Sequence, residues 1–200
     1  MKPTVALEPG KYYHIYNRGN NRENIFREER NYAYFLRLYA KYVEPVADTF
    51  AYCLLKNHFH FLVRIKTSRV LETREVSIET REVLQQFSNL FNSYAKAINK
   101  AYNRTGRLFQ ERFGRIEVTS DRYFVALIRY IHRNPQKHGL ATDFRDWPYS
   151  SYHAHLSGKP TRLKRDEVLA WFDGAEGFAQ VHQSAADEQQ IAALAPEDFD

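Results

Sequence analysis

Residues 56–65 read KNHFHFLVRI, two histidines one residue apart inside an otherwise apolar run. Taken as part of a β-strand from Tyr52 to Ile65, the run alternates faces with a period of two, so His58 and His60 point the same way. Tyr52, Leu54, Lys56, Leu62 and Arg64 then share their face. Cys53, Leu55, Phe59, Phe61, Val63 and Ile65 make the other face almost wholly apolar, as a strand packed on helices requires. Two imidazoles on the more polar face can converge on one cation.

Working outward, KYYHIYNRGNNRENIF opens with the strand-formers Tyr12 to Tyr16 and breaks into an Asn-, Gly- and Arg-rich loop at 17–22. An amphipathic helix is expected from about Glu28 to Val43, stopped by Pro45. Residues 66–80 mix charges with isolated aliphatics and read as an exposed insertion. Leu84, Phe87, Leu90, Phe91, Tyr94 and Ile98 have helical spacing between about Glu82 and Tyr102. A turn carrying several arginines, NRTGRLFQERFGRIEV, runs into a short strand near Arg115 to Val118. The next helix is the most clearly bounded: Ser120 caps it, Asp121 suits its first turn, and Pro135 with Gly139 stops it. Strand, helix, strand, helix, strand, helix, with short strands able to pair antiparallel and helices on one face, predicts an α+β sandwich.

Length and an apolar content of 44% suit one compact domain with an appendage. A single cysteine excludes a disulfide within the chain and points to a reducing compartment. No apolar run approaches the roughly 20 residues of a membrane helix, and MKPTVALEPG lacks the apolar core of a signal peptide, so a cytoplasmic, nucleoid-associated protein with no membrane partner is expected. Residues 1–165 hold 29 basic and 15 acidic side chains, a net +14, whereas residues 166–200 hold 9 acidic and no Lys or Arg. The division expected is a basic body, 1–165, and an acidic C-terminal extension, 166–200. Such a body favours a polyanion, most simply nucleic acid.

Two histidines are an incomplete catalytic metal site, so a further ligand beside a nucleophile is required. Tyr130 and Asn134 are four apart and neighbours on one helical face. Among the tyrosines of the three expected helices, only Tyr130 has a side chain able to bind metal at i+4. At about 100° per residue, Phe124, Leu127, Ile128 and Ile131 form the buried stripe and Tyr130 and Asn134 its flank, where they can face a cleft beside the sheet.

From about residue 11 to 152 the chain resembles the HUH single-tyrosine transposases, and within them the REP-associated tyrosine transposases. The motifs that carry the likeness are YYHIYNRGNNRENIF, NHFHFLV, RTGRLFQERF, RYIHRNPQKHGL and WPYSSY, in the right order and approximate spacing. The resemblance implies a ferredoxin-like α+β sandwich with a central antiparallel sheet. It also implies a divalent cation on His58 and His60, Tyr130 as the nucleophile that cuts single-stranded DNA, and Asn134 as the third ligand. Asn134 departs from relatives that carry Gln or Glu there, being neutral and shorter. NPQKHGL stands where NPVRAGL is commoner, which leaves His138 as an extra ligand or a proton carrier.

A phosphodiester repels nucleophiles and a protonated tyrosine is a poor one, so a cation is needed: Mg²⁺ or Mn²⁺ suits phosphate oxygens, and imidazoles shift the preference toward Mn²⁺. Attack by Tyr130 would leave a 5′-phosphotyrosine link that conserves energy for rejoining. The expected contacts with DNA are Arg18 and Arg22 in the loop and Arg104, Arg107 and Arg112 in the turn, with Asn17, Asn20 and Gln110 reaching base edges. The family implies a hairpin-bearing single-stranded DNA partner, bound by a monomer or a homodimer. Two other classes stay open: a non-catalytic hairpin binder that keeps the fold, and a metal hydrolase in which His58 and His60 activate water.

Overall fold

The computed structural model describes residues 5–71 and 74–184. In chain order its regular elements are β1 (Tyr12–Arg18), α1 (Glu29–Tyr42), β2 (Ala47–Leu54), β3 (His58–Ile65), β4 (Ser68–Leu71), β5 (Arg74–Ser77), α2 (Thr80–Ala101), β6 (Gly114–Glu117), α3 (Asp121–Lys137), α4 (Tyr152–Leu156), α5 (Arg165–Ala170) and α6 (Ala175–Gln183). β1, β2, β3 and β6 form one antiparallel sheet in the order β2-β3-β1-β6. With α1 and α2 in the crossovers this is the βαββαβ plan of a ferredoxin-like α+β sandwich. The segment expected as an exposed insertion contains the separate antiparallel pair β4–β5, with Thr67 and Glu79 exposed and Ile78 buried.

The histidine run is not one strand from Tyr52 to Ile65. A turn at 55–57, closed by the Leu55 amide donating to the His58 carbonyl at 2.8 Å, divides it into the hairpin β2–β3. Reversal of the chain changes which residues share a face. Cys53 pairs with His60 and lies on the histidine side, while Leu54 joins the opposite core. Within β3 the alternation holds: Phe59, Phe61, Val63 and Ile65 bury on one side and Leu62 on the other.

Helices cover both faces of the sheet, not one. On the first side α1 brings Tyr32, Phe35 and Tyr39, and α2 brings Val83, Phe87, Leu90, Tyr94 and Ile98, against Tyr13, Ile15, Phe59 and Phe61. Each fully buried phenylalanine there contributes roughly 1.5–3 kcal/mol relative to an exposed one. α1 starts at a reciprocal cap, the Glu28 side chain accepting from the Asn31 backbone while the Asn31 side chain accepts from the Glu28 backbone. On the second side Phe124, Leu127, Ile128 and Ile131 of α3 pack on Phe50, Ala51, Cys53 and Leu62, joined by Val168, Phe172 and Phe178. The first half of the acidic segment thus lies against α3, and residues 185–200 fall outside the described residues. Among the described residues no helix is long and apolar enough to cross a membrane.

Candidate nucleophile and metal site

The site forms where β1, β3 and α3 meet. Antiparallel pairing sets Tyr16 opposite His60 and Arg18 opposite His58. The side chains of His14, His58 and His60 all project toward α3 and are buried. The Ser120 hydroxyl accepts from the Tyr123 amide to start α3 as expected. Pro135 does not stop it. Lacking an amide proton, Pro135 sits in the last turn, where only one helix bond is forgone, and α3 runs on to Lys137. Gly139, at φ +64°, ends it: its amide donates to the Gln136 carbonyl at 3.1 Å and the Leu140 amide to the Pro135 carbonyl at 2.8 Å. This closure holds His138 at the helix end, its ring centroid 4.8 Å from that of His58.

Tyr130 and Asn134 do not line an open cleft. Both are buried, Tyr130 at 3% exposure and Asn134 at 0%, because α3 lies directly on the histidine face of the sheet. The Tyr130 ring centroid is 5.5 Å from that of His60 and 6.1 Å from that of His14. Its hydroxyl is buried with no hydrogen-bond partner among the described residues. Asn134 Nδ2 donates to the Tyr130 carbonyl at 3.3 Å. The side chain lies against His58, and its Oδ1 makes no hydrogen bond of good geometry among the described residues. The pair His58 and His60 and the pair Tyr130 and Asn134, far from each other in sequence, thus occupy one small volume.

Burial decides the charge here. It drives His58 down to about 3, helped by His138 and Arg18 nearby, and holds His60 well below the ordinary imidazole range. His14 falls to about 3 from burial alone. The imidazoles are therefore neutral at pH 7, the form that ligates metal. His58 Nδ1 lies 2.6 Å from Asn57 Oδ1. An amide oxygen can only accept, so Nδ1 carries the proton and Nε2 the lone pair. Among the described residues no group of three or more His, Cys, Asp or Glu could hold a metal ion. The donor set that fits a cation is instead two neutral imidazoles and the Asn134 amide oxygen, an incomplete shell that leaves positions for phosphate oxygens.

The expected DNA contacts fall in two groups. The loop 17–22 and the basic turn are zipped together: the Asn20 amide donates to the Leu108 carbonyl and the Gln110 amide to the Arg18 carbonyl, each at 2.9 Å, and Gly19 bridges to Phe109. Asn20, Arg22, Arg107, Gln110 and Arg112 share this partly or fully exposed rim, with Arg18 at its inner edge. Arg107 is exposed and 3.6 Å from Glu111. Asn17 and Arg104 are placed differently. Asn17 is buried, its Oδ1 accepting from the Arg18 amide at 2.8 Å. Arg104 bonds Glu23 Oε2 at 2.5 Å and Asn99 Oδ1 at 2.7 Å, its side chain 12% exposed; it holds the loop to the end of α2.

Two residues of β1 also belong to the cluster and were not singled out from the sequence. His14 Nε2 is 2.9 Å from His60 Nδ1, both rings buried, and the Tyr16 ring lies 4.9 Å from that of His14, across Gly114. The signal was present: Tyr12, His14, Tyr16 and Arg18 have one parity in a strand.

No family model matches the chain. It is 29% identical over 115 residues to a Haemophilus influenzae protein described as a REP-associated tyrosine transposase; the match covers 56% of this chain, and the chain spans 62% of that relative's length. Among solved structures it is similar to a REP-associated tyrosine transposase bound to a REP hairpin, with a TM-score of 0.58 and 15% identity over 80% of this chain and 88% of the other. The first likeness is one of sequence and the second one of fold.

Proposed function

We propose that this chain, similar in sequence and in fold to REP-associated tyrosine transposases, is a metal-dependent single-stranded DNA endonuclease and strand transferase acting on hairpin-bearing DNA through a 5′-phosphotyrosine intermediate. What carries the reading is the gathering of Tyr130 and Asn134 on one helix against His58 and His60 on the strand beneath, with the Tyr130 ring 5.5 Å from His60. In the reaction the Tyr130 phenolic oxygen bonds to phosphorus and the bond to the 3′ oxygen breaks. The phenolic proton passes to solvent and the departing oxygen takes one up, so an ester is exchanged without oxidation or reduction. His58, His60 and Asn134 would hold the divalent cation, Mg²⁺ or Mn²⁺, which when bound polarises a phosphate oxygen. Lys137, its Nζ 5.1 Å from the centre of the Tyr130 ring, and Arg18 beside His58 place positive charge where the phosphodiester must come. The rim of Arg22, Arg107, Gln110 and Arg112 supplies phosphate and base contacts to the strand.

One observation favours a second reading, a hairpin binder without catalysis: Tyr130 is 3% exposed, so a phosphate reaches it only when α3 and the sheet part locally. A single experiment separates the readings. Labelled single-stranded hairpin oligonucleotides from DNA flanking the gene are incubated with the protein and Mn²⁺ or Mg²⁺, beside Tyr130→Phe, and run on a denaturing gel. A slow-migrating covalent adduct that needs metal and vanishes in Tyr130→Phe is the expected result. Cleavage without an adduct would point to a hydrolase, and tight binding without cleavage to the binding module.

A further inference from the structure

His58 and His60 are oriented by different kinds of neighbour. Asn57 Oδ1 can only accept, so the tautomer of His58 is set. The neighbour of His60 Nδ1 is His14 Nε2 at 2.9 Å, fully buried, and one imidazole can give or take a proton from another. In one arrangement His14 donates, His60 carries its own proton on Nε2, and the edge facing Tyr130 and His58 cannot bind a cation. In the other His60 donates from Nδ1, His14 accepts, and Nε2 of His60 presents a lone pair. In the second arrangement His14 carries its proton on Nδ1, which is buried without a hydrogen-bond partner among the described residues; that cost is offset when a cation binds the lone pair on Nε2 of His60.

The backbone fixes the contact. His14 lies in the middle of β1, paired with Leu62 of β3 and Ile116 of β6, and its ring stacks on that of His60 with centroids 5.1 Å apart. It is too deep to meet DNA, and with Nε2 engaged by His60 no cation fits between the two rings.

We propose that His14 is a positioning residue: it accepts the Nδ1 proton of His60 and thereby holds the His60 ring and its Nε2 lone pair ready for the divalent cation. The inference rests on His58 and His60 being the cation-holding pair. Partners of this kind, which orient a metal-binding histidine through its other nitrogen, typically govern affinity by 10–100-fold.

The test measures Mn²⁺ binding to metal-free protein, by electron paramagnetic resonance of the free ion, for wild type, His14→Phe, His14→Asn, His14→Gln and His58→Ala. Gln places an amide oxygen near the position of Nε2 and can still accept from His60, whereas Asn is too short and Phe has no acceptor. The expected result is a loss on the order of 10–100-fold for Phe and Asn, with Gln restored to near the wild-type affinity. Should Phe fail to fold, the comparison of Asn with Gln decides. Equal affinity in wild type and Asn, or equal losses in Asn and Gln, would overturn the role of His14 while leaving the metal site standing. Absence of Mn²⁺ binding in wild type, or binding that survives His58→Ala, would instead overturn the site on which the inference rests.

Discussion

His132 Nδ1 and His182 Nε2 lie 2.9 Å apart, so a buried hydrogen bond fastens helix α6 to the helix that carries Tyr130. The chain of bonds continues in both directions, from His182 Nδ1 to the Phe178 carbonyl at 2.7 Å and from Ser151 Oγ to His132 Nε2 at 2.7 Å. Burial holds His132 well below the ordinary imidazole range and brings His182 and the neighbouring His155 to about 4. In the unfolded chain these histidines titrate near 6.5, so below that pH the unfolded state binds protons that the folded state refuses. Stability is full above about pH 6.5 and falls toward pH 4, by about 1.4 kcal/mol per pH unit for each histidine. Urea unfolding at pH 7.5, 6.0 and 5.0 should show the midpoint dropping steeply over the last step. A midpoint flat across that range would mean that the cluster is not neutral in the folded state.

The arginines of the basic turn should separate into two phenotypes. Arg107→Ala and Arg112→Ala alter exposed side chains and should leave the unfolding midpoint within about 0.5 kcal/mol of wild type. Each should weaken hairpin binding and reduce the slope of log affinity against log salt by about 1. Arg104→Ala removes the bonds to Glu23 and Asn99 and should cost about 1.5–3 kcal/mol of stability. Salt-dependent fluorescence anisotropy with chemical denaturation of the same three variants checks this. Arg104→Ala that is fully stable yet changes the salt slope as the other two do would place Arg104 on the DNA.

How much of this was legible in the sequence depends on the range of the interaction. Alternation along His58–Ile65 and the stripe Phe124, Leu127, Ile128, Ile131 are local periodicities, and both hold in the structure. The turn at 55–57 was missed because Leu55, Lys56 and Asn57 sit inside an apolar run without Gly or Pro, and the reversal is stabilised from outside, by the Gly19 amide on the Asn57 carbonyl at 2.8 Å and the Phe26 amide on the Lys56 carbonyl at 2.9 Å. Covering of both faces of the sheet was missed for a similar reason. Whether α3 shares a side with α1 and α2 is a matter of crossover, which its own 3.6-residue pattern does not encode. The partnership of His14 with His60 needs the register of β1 on β3, a relation between residues 46 apart, and only the parity of β1 hinted at it.

Gly114 illustrates a constraint of that long-range kind. A Cβ there would lie 1.9 Å from two carbons of the Tyr16 ring, which occupies the space because Tyr16 and Gly114 are paired across β1 and β6. Gly114→Ala should therefore push the Tyr16 ring aside, toward the histidines it adjoins, at a cost of about 1–3 kcal/mol. Chemical denaturation measures the loss, and Gly114→Ala should cost less in a Tyr16→Ala background, where the overlap is cleared, than in the wild-type background. Additive losses in the double variant would show that the ring is not what the new methyl group meets.

Tyr130→Phe should uncouple stability from chemistry in the opposite direction from an ordinary core change. The substitution keeps the ring that packs against His60 and deletes only a hydroxyl that is buried without a hydrogen-bond partner among the described residues. Burying such a group without a partner costs about 1–3 kcal/mol, so its removal should leave the metal-free protein as stable as wild type or up to about 2 kcal/mol more stable. Hairpin affinity should stay within about twofold, since Phe takes the same volume and the proposed contacts to the strand lie on the rim, away from the Tyr130 hydroxyl. Urea midpoints and anisotropy titrations on the same preparation measure both. A variant destabilised by more than about 1 kcal/mol would mean that the hydroxyl is bonded in the folded state, and Tyr130 would then be placed to hold α3 on the sheet instead of waiting there for a phosphate.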